Sequence, residues 1–172
     1  VVVPVEVPGV PLHSVLRLLL DERVSIRNLP LILEAIAEAR VHTTQPELIC
    51  EHVRQRMGFQ LVAEMKREDG TIPLIQLAPE WEDTFSTYQV DIQGGGMDIA
   101  LPPDMFNRLA EGLSERLNTI TRQGSFAAVV TSTRRRRYLR TILKSRGITN
   151  PVLSFEEIGL EARPALVGMV QA

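Results

Sequence analysis

The sequence predicts an α+β / α/β protein: a small helical subdomain over residues 1–60, then an α/β subdomain over 61–172 with a mixed sheet containing a β-α-β crossover. Three observations carry this expectation. Apolar residues recur at three- and four-residue intervals in three consecutive segments between residues 11 and 57. After Gly58 the pattern shifts to short apolar runs bounded by turn residues. The last third then reads as apolar run, amphipathic cationic segment, apolar run, which is the signature of two parallel strands joined by a helix. The 172 residues, 44% hydrophobic and 23% charged, sit at the globular average and leave room for two small subdomains.

The first helix is expected over Pro11–Glu22, with Leu12, Val15, Leu16, Leu19 and Leu20 on its buried stripe and Arg17, Asp21 and Glu22 outward. Ser25 or Asn28 is placed to cap the second, Pro30 falls in its first turn, and Leu29, Ile32, Leu33, Ile36 and Ala37 form its apolar face. The third opens on Thr44-Gln45-Pro46-Glu47, a capping-box spacing, and is expected to close at Gly58, with Leu48, Ile49, Val53 and Met57 as its stripe. Phe59–Met65 and Thr71–Leu77, separated by a segment ending in Asp69-Gly70, suggest an antiparallel hairpin. Pro79–Tyr88 suits a short helix carrying Trp81 and Phe85, and Gly94-Gly95-Gly96 a flexible loop. A long helix begins at Pro102-Pro103-Asp104, with Met105, Phe106, Leu109, Leu113, Leu117 and Ile120 on one face. Phe126–Val130 and Pro151–Phe155 read as parallel strands flanking a helix from Arg134 to Arg146, which Gly147 ends. Residues 164–172 suit a closing edge strand, although Gly168 is a poor strand residue.

Composition excludes several functions. With 19 basic and 21 acidic residues the formal charge is −2 and the isoelectric point about 6.0, far from a globally basic nucleic-acid binder. No apolar run approaches the length of a membrane-spanning helix. Cys50 is the single cysteine, which rules out an internal disulfide or a Cys-rich zinc cluster; a buried helical position and a reducing compartment are expected for it. The opening Val1-Val2-Val3-Pro4 has neither an initiator methionine nor a leader pattern and reads as the start of a cut-out fragment.

The catalytic inventory is thin. His13, His42 and His52 have no second ligand at metal spacing, the serines lack a nucleophile-elbow context, and the glycine run does not match a phosphate loop. Glu156-Glu157 reads as a solvated loop. The conspicuous feature is Arg134-Arg135-Arg136-Arg137, extended by Arg140, Lys144 and Arg146. Three readings stay open for it: a solvated or salt-bridged face, a protein-contact face using Arg134, Arg135, Arg136, Arg137 and Arg140, and a nucleic-acid grip. The lack of interleaved aromatics disfavours the last. No catalytic residue, cofactor or metal is expected, so the default is a binding module.

The segments Val24-Ser25-Ile26-Arg27-Asn28-Leu29-Pro30-Leu31-Ile32-Leu33-Glu34-Ala35-Ile36-Ala37-Glu38-Ala39 and Leu48–Gly58 resemble the C-terminal cytoplasmic region of the export-gate proteins of flagellar and virulence type III secretion, the FlhA/SctV family. The resemblance continues through Leu74–Pro79, Ile99–Asp104 and Pro151–Ile158; Ala78 and Gly159-Leu160 depart from residues frequent in the family. It implies a non-enzymatic module with no cofactor, residues 1–60 matching the third cytoplasmic subdomain and the rest the fourth. It further implies a ring, commonly of nine subunits, at the cytoplasmic face of the bacterial inner membrane. That ring would receive export chaperone–substrate complexes, gatekeepers and stalk proteins, and a separate N-terminal half would hold it to the membrane. Because the third subdomain supplies much of the family's ring contact, Arg27, Asn28 and Glu34 are the candidate subunit-interface residues. The segment Val24–Ala39 looks slightly more flagellar than virulence-associated.

Overall fold

The computed structural model describes residues 12–92 and 96–172. Among the described residues, four helices come first: α1 (Leu12–Asp21), α2 (Leu29–Ala39), α3 (Pro46–Arg56) and α4 (Gly58–Ala63). α3 packs against both α1 and α2, and their apolar stripes meet in a core of Val15, Leu19, Ile32, Ala35, Ile36, Ile49, Cys50, Val53 and Met57. Cys50 is buried as expected, whereas Leu20 and Leu48 stand exposed at the margins of their stripes. Proline occupies the first turn of α2 and α3, where a missing N–H breaks no helical bond. The caps differ from expectation. Asn28 and Gln45 hold the N-cap positions without a side-chain capping hydrogen bond, and the hydroxyls of Ser25 and Thr43 instead accept from the backbone N–H two residues on. The Thr44 capping box is therefore not formed.

Gly58 does not end a helix in the left-handed conformation; it opens α4. Its lack of a side chain serves a close approach instead, since a Cβ there would lie 2.2 Å from the carbonyl oxygen of Glu157. The expected hairpin is also replaced. Gly58, Leu61 and Val62 are the buried positions of α4, an i, i+3, i+4 spacing that is helical, and the strand that follows finds its partners far along the chain.

That strand, β1 (Thr71–Leu77), lies in a four-stranded sheet with β4 (Ala128–Thr131), β5 (Val152–Ser154) and β6 (Arg163–Val170), in the order β5-β4-β1-β6. Every pairing in it is parallel, with Ile75 opposite Val129 and Val130 opposite Leu153. Antiparallel pairing is confined to a separate ribbon, β2 (Gln89–Ile92) with β3 (Gly96–Ile99). The sequence reading missed this ribbon. Gly94 and Gly95, and the Val1–Pro4 opening, lie outside the described residues, while Gly96 begins β3.

Helices α5 (Pro79–Thr87), α6 (Pro103–Arg122) and α7 (Thr133–Ser145) fall where apolar periodicity predicts, and the four-residue α8 (Phe155–Ile158) follows β5. β4-α7-β5 is the expected crossover, and β4 is buried along its whole length. Trp81, Phe85, Leu109, Leu113, Leu117, Leu139, Ile142 and Leu143 share one core with Ile75, Val129 and Val152. β6 is the edge strand. Its pairing with β1 slips between Leu74 and Ile75, leaving Val167 as an extra residue. Gly168 lies beside the slip, packed against Ile120 and Ile75 at ordinary contact distance. The end of β6 is fixed by Ala78 N–H donating to Val170 O and Trp81 Nε1–H to Gln171 O.

Among the described residues, 12–64 and 156–159 form one unit and 65–155 with 160–172 the other. The sequence reading placed a single boundary at 60–61; the contacts return residues 156–159 to the helical unit.

Candidate functional site

Three clusters of charged side chains follow from the placement of α2, α3 and α7. The first surrounds α2. Arg27 and Asn28 are exposed just ahead of it, and Glu34 projects one turn into it with its side chain 64% accessible. Glu34 lies 3.7 Å from Arg56 of α3. Arg56 also donates to Glu38, and Glu38 is 2.8 Å from His52 Nε2. The hydrogen bonds from His52 and then Arg56 hold the Glu38 carboxyl below its ordinary value, and reciprocally Glu38 raises Arg56. The α2–α3 surface thus offers Arg27 and Asn28 at one end, and Glu34 within a four-residue polar network.

The second cluster is buried. Arg54 points inward from α3 and its Nε donates to both carboxylate oxygens of Glu157, at 3.3 and 3.2 Å, with Glu22 3.9 Å from the same guanidinium. The Glu157 side chain has no exposure. This overturns the solvated-loop reading of Glu156-Glu157 for Glu157, because α8 carries that carboxylate into the helical unit. Arg54 was detectable in the sequence: Cys50, Val53, Arg54 and Met57 fall at i, i+3, i+4, i+7, so the arginine sits in an apolar stripe. Its carboxylate partner, a hundred residues away, left no local signal.

The third is the arginine run. Spacing alone divides it. Arg135, Leu139 and Ile142 share one side of α7, as do Arg136, Leu139 and Leu143, and both arginines are buried. Arg135 donates to Glu82 of α5 at 2.8 Å and to Gln89, and its guanidinium stands over the Phe85 ring. Arg136 donates to Val152 O at 3.2 Å. A contact face made of all five arginines is therefore corrected: Arg135 and Arg136 belong to the interior, Arg134 is exposed, and Arg137 and Arg140 are half-buried. Arg134 reaches Gln89 and Arg140 reaches Ile148 O, both at 3.3 Å. Tyr138 beside the run packs edge-on to Phe85, and burial followed by the charge of Asp98 pushes its hydroxyl up to about 12.

Among the described residues no group of three or more His, Cys, Asp or Glu is arranged to hold a metal ion, and no helix is long and apolar enough to cross a membrane. Among the described residues, Arg27, Asn28 and Glu34 near α2 and Arg134 and Lys144 on α7 are exposed charged or polar side chains.

The FHIPEP family matches residues 1–163. The flagellar biosynthesis protein FlhA of Caulobacter vibrioides is 34% identical across 98% of this chain and 24% of its own length. Protein hrpC2 of Xanthomonas euvesicatoria is 31% identical across 95% of this chain and 25% of its own. The chain thus spans about a quarter of the length of these relatives. Among solved structures, the Chlamydia pneumoniae CdsV protein has a TM-score of 0.81 at 26% identity, over 94% of this chain and 46% of that one. The nonameric SctV-C of EPEC shares the fold, with a TM-score of 0.79 at 21% identity over 91% of this chain and 47% of that one.

Proposed function

Because the chain belongs to the FHIPEP family and carries the fold of the SctV cytosolic domains, we propose that it works in a type III protein-export gate as a ring-forming module that also handles export partners. The observation that carries this reading is the pairing of a family match over residues 1–163 with an exposed polar surface at the start of α2, formed by Arg27, Asn28 and Glu34. In a ring each copy presents two different surfaces to its neighbours, so a polar patch of fixed geometry sets register while the packed core of the helical unit keeps it rigid. Copies of this chain meet through that patch, residues 1–60 acting as the third cytoplasmic subdomain of the family and residues 61–172 as the fourth. Nonameric assembly of SctV-C supports nine copies. The solved complex of Chlamydia pneumoniae CdsV with CdsO supports contact with a secretion component. Chaperone–substrate complexes and gatekeepers are the further partners the reading calls for, and the module works at the cytoplasmic face of the inner membrane without catalysing a reaction of its own. The competing nucleic-acid reading loses Arg135 and Arg136, whose buried guanidiniums are engaged inside the fold.

The test is export itself. Arg27→Glu with Glu34→Arg, introduced into the full-length gate protein that carries this segment, reverses the patch without touching the core. We expect unchanged protein level and membrane association, with export of substrates to the medium falling at least roughly tenfold, since a like-charge juxtaposition across an interface costs several kcal/mol. Full export by the double variant would refute the role of this surface.

A further inference from the structure

We propose that the solvent face of α7 is a docking stripe for a short acidic segment of a partner protein. Beyond the buried positions, Arg134, Thr141 and Lys144 are exposed and Arg137 is half-buried, at i, i+7, i+10 and i+3 on one side of the helix, with half-buried Arg140 at the flank. Ten residues of helix place the end charges roughly 15 Å apart. Among the described residues, Arg137 and Lys144 have no carboxylate within ion-pair distance, in contrast to Arg135, which holds Glu82. The arrangement has a cost. Like charges three and four apart repel, and the cations of the first turn oppose the helix dipole. Exposed carboxylates also flank α7: Glu82 of α5, which Arg135 holds, with Glu80 and Asp83 on the same helix, and Asp98 of β3, whose charge acts on Tyr138.

These facts select the partner. A stripe of this length, bordered by the acidic surface of α5, attracts anionic groups only over about a Debye length of 10 Å at 0.1 M salt. A few carboxylates on one helical turn or on a short extended peptide match it. A nucleic acid extending beyond the stripe would meet exposed carboxylates such as Glu82 and Asp98, and among the described residues of α7 it finds no exposed aromatic for base stacking. A bilayer surface finds no apolar side chain to bury beside the cations.

The experiment uses the 172-residue chain and a fluorescein-labelled polyglutamate peptide, followed by anisotropy at low and at physiological salt. The expected result is saturable binding that weakens with salt. It should weaken about tenfold or more in Arg137→Glu/Lys144→Glu, while Arg108→Glu/Arg122→Glu, which changes net charge equally from α6, leaves it within about twofold. Circular dichroism and melting temperature confirm that both variants are folded. Absence of saturable binding, or equal weakening by the two double variants, would overturn the proposal. So would tighter binding of oligodeoxythymidylate or phosphatidylserine vesicles through Arg137 and Lys144. Peptide binding by the isolated chain requires no ring, so failure here leaves the export-gate reading standing.

Discussion

Arg54 and Glu157 form a pair whose energetics are asymmetric. Both are withdrawn from water, so removing one partner strands a buried charge at a cost of about 3–5 kcal/mol, whereas replacing both with apolar residues of similar volume is close to neutral. We therefore expect Arg54→Met to destabilise the protein by about 3–5 kcal/mol, and Arg54→Met/Glu157→Leu to recover most of the loss, by denaturant unfolding monitored at 222 nm. An additive double variant would contradict the pairing. Gly58→Ala should also cost about 1–3 kcal/mol, since its methyl group meets Glu157 O and the backbone must move. At the surface, Glu38 has a carboxyl held below its ordinary 4.5 by His52 and Arg56. A depressed folded value means that its contribution is present above the unfolded value and disappears as pH falls through the folded one. Unfolding midpoints should therefore fall in acid partly through this group, and Glu38→Gln should flatten the profile below about pH 4.5. A profile unchanged by the substitution would remove Glu38 from the account.

Helix α7 shows how one element serves two masters. Successive residues of the run do opposite things: Arg135 is buried against Glu82, Gln89 and the Phe85 ring, while Arg134 is exposed. Arg135→Ala should lower stability by about 1–3 kcal/mol through lost hydrogen bonds, ring contact and stem packing. Arg134→Glu should stay within about 0.5 kcal/mol. Equal effects, measured by thermal unfolding, would contradict the inside–outside division. The helices were legible in the sequence because each buries one stripe against a neighbour, and 3.6-residue periodicity records that directly. The β4-α7-β5 crossover was legible for the same reason, its strands being continuous apolar runs. The pairing of β1 was not. Its partners β4 and β6 are set by long-range register, and a charged loop ending in Asp-Gly suggested a local hairpin that α4 pre-empts. The ribbon of β2 and β3 was hidden because a glycine run carries little pattern. Charge runs misled in a comparable way: reading Arg134–Arg137 as one patch overlooked that Arg135 and Arg136 share helical spacing with Leu139, Ile142 and Leu143.

For the molecule as a whole, the candidate surface residues Arg27, Asn28 and Glu34 came from resemblance rather than from periodicity, and they stand exposed around the start of α2. The second excursion into the helical unit by residues 156–159 was beyond a linear reading, since it depends on a carboxylate meeting Arg54 about a hundred positions earlier. What the sequence did carry was the helical periodicity of the first unit and the resemblance to the family that matches residues 1–163. The central claim is that copies of this module associate through the α2 surface. Electron-microscopic imaging of the full-length protein in lipid nanodiscs, wild type beside Arg27→Glu/Glu34→Arg, addresses it most directly. The account predicts closed rings for the wild type and dispersed, folded subunits for the double variant. Rings of the same size and abundance in both samples would contradict it.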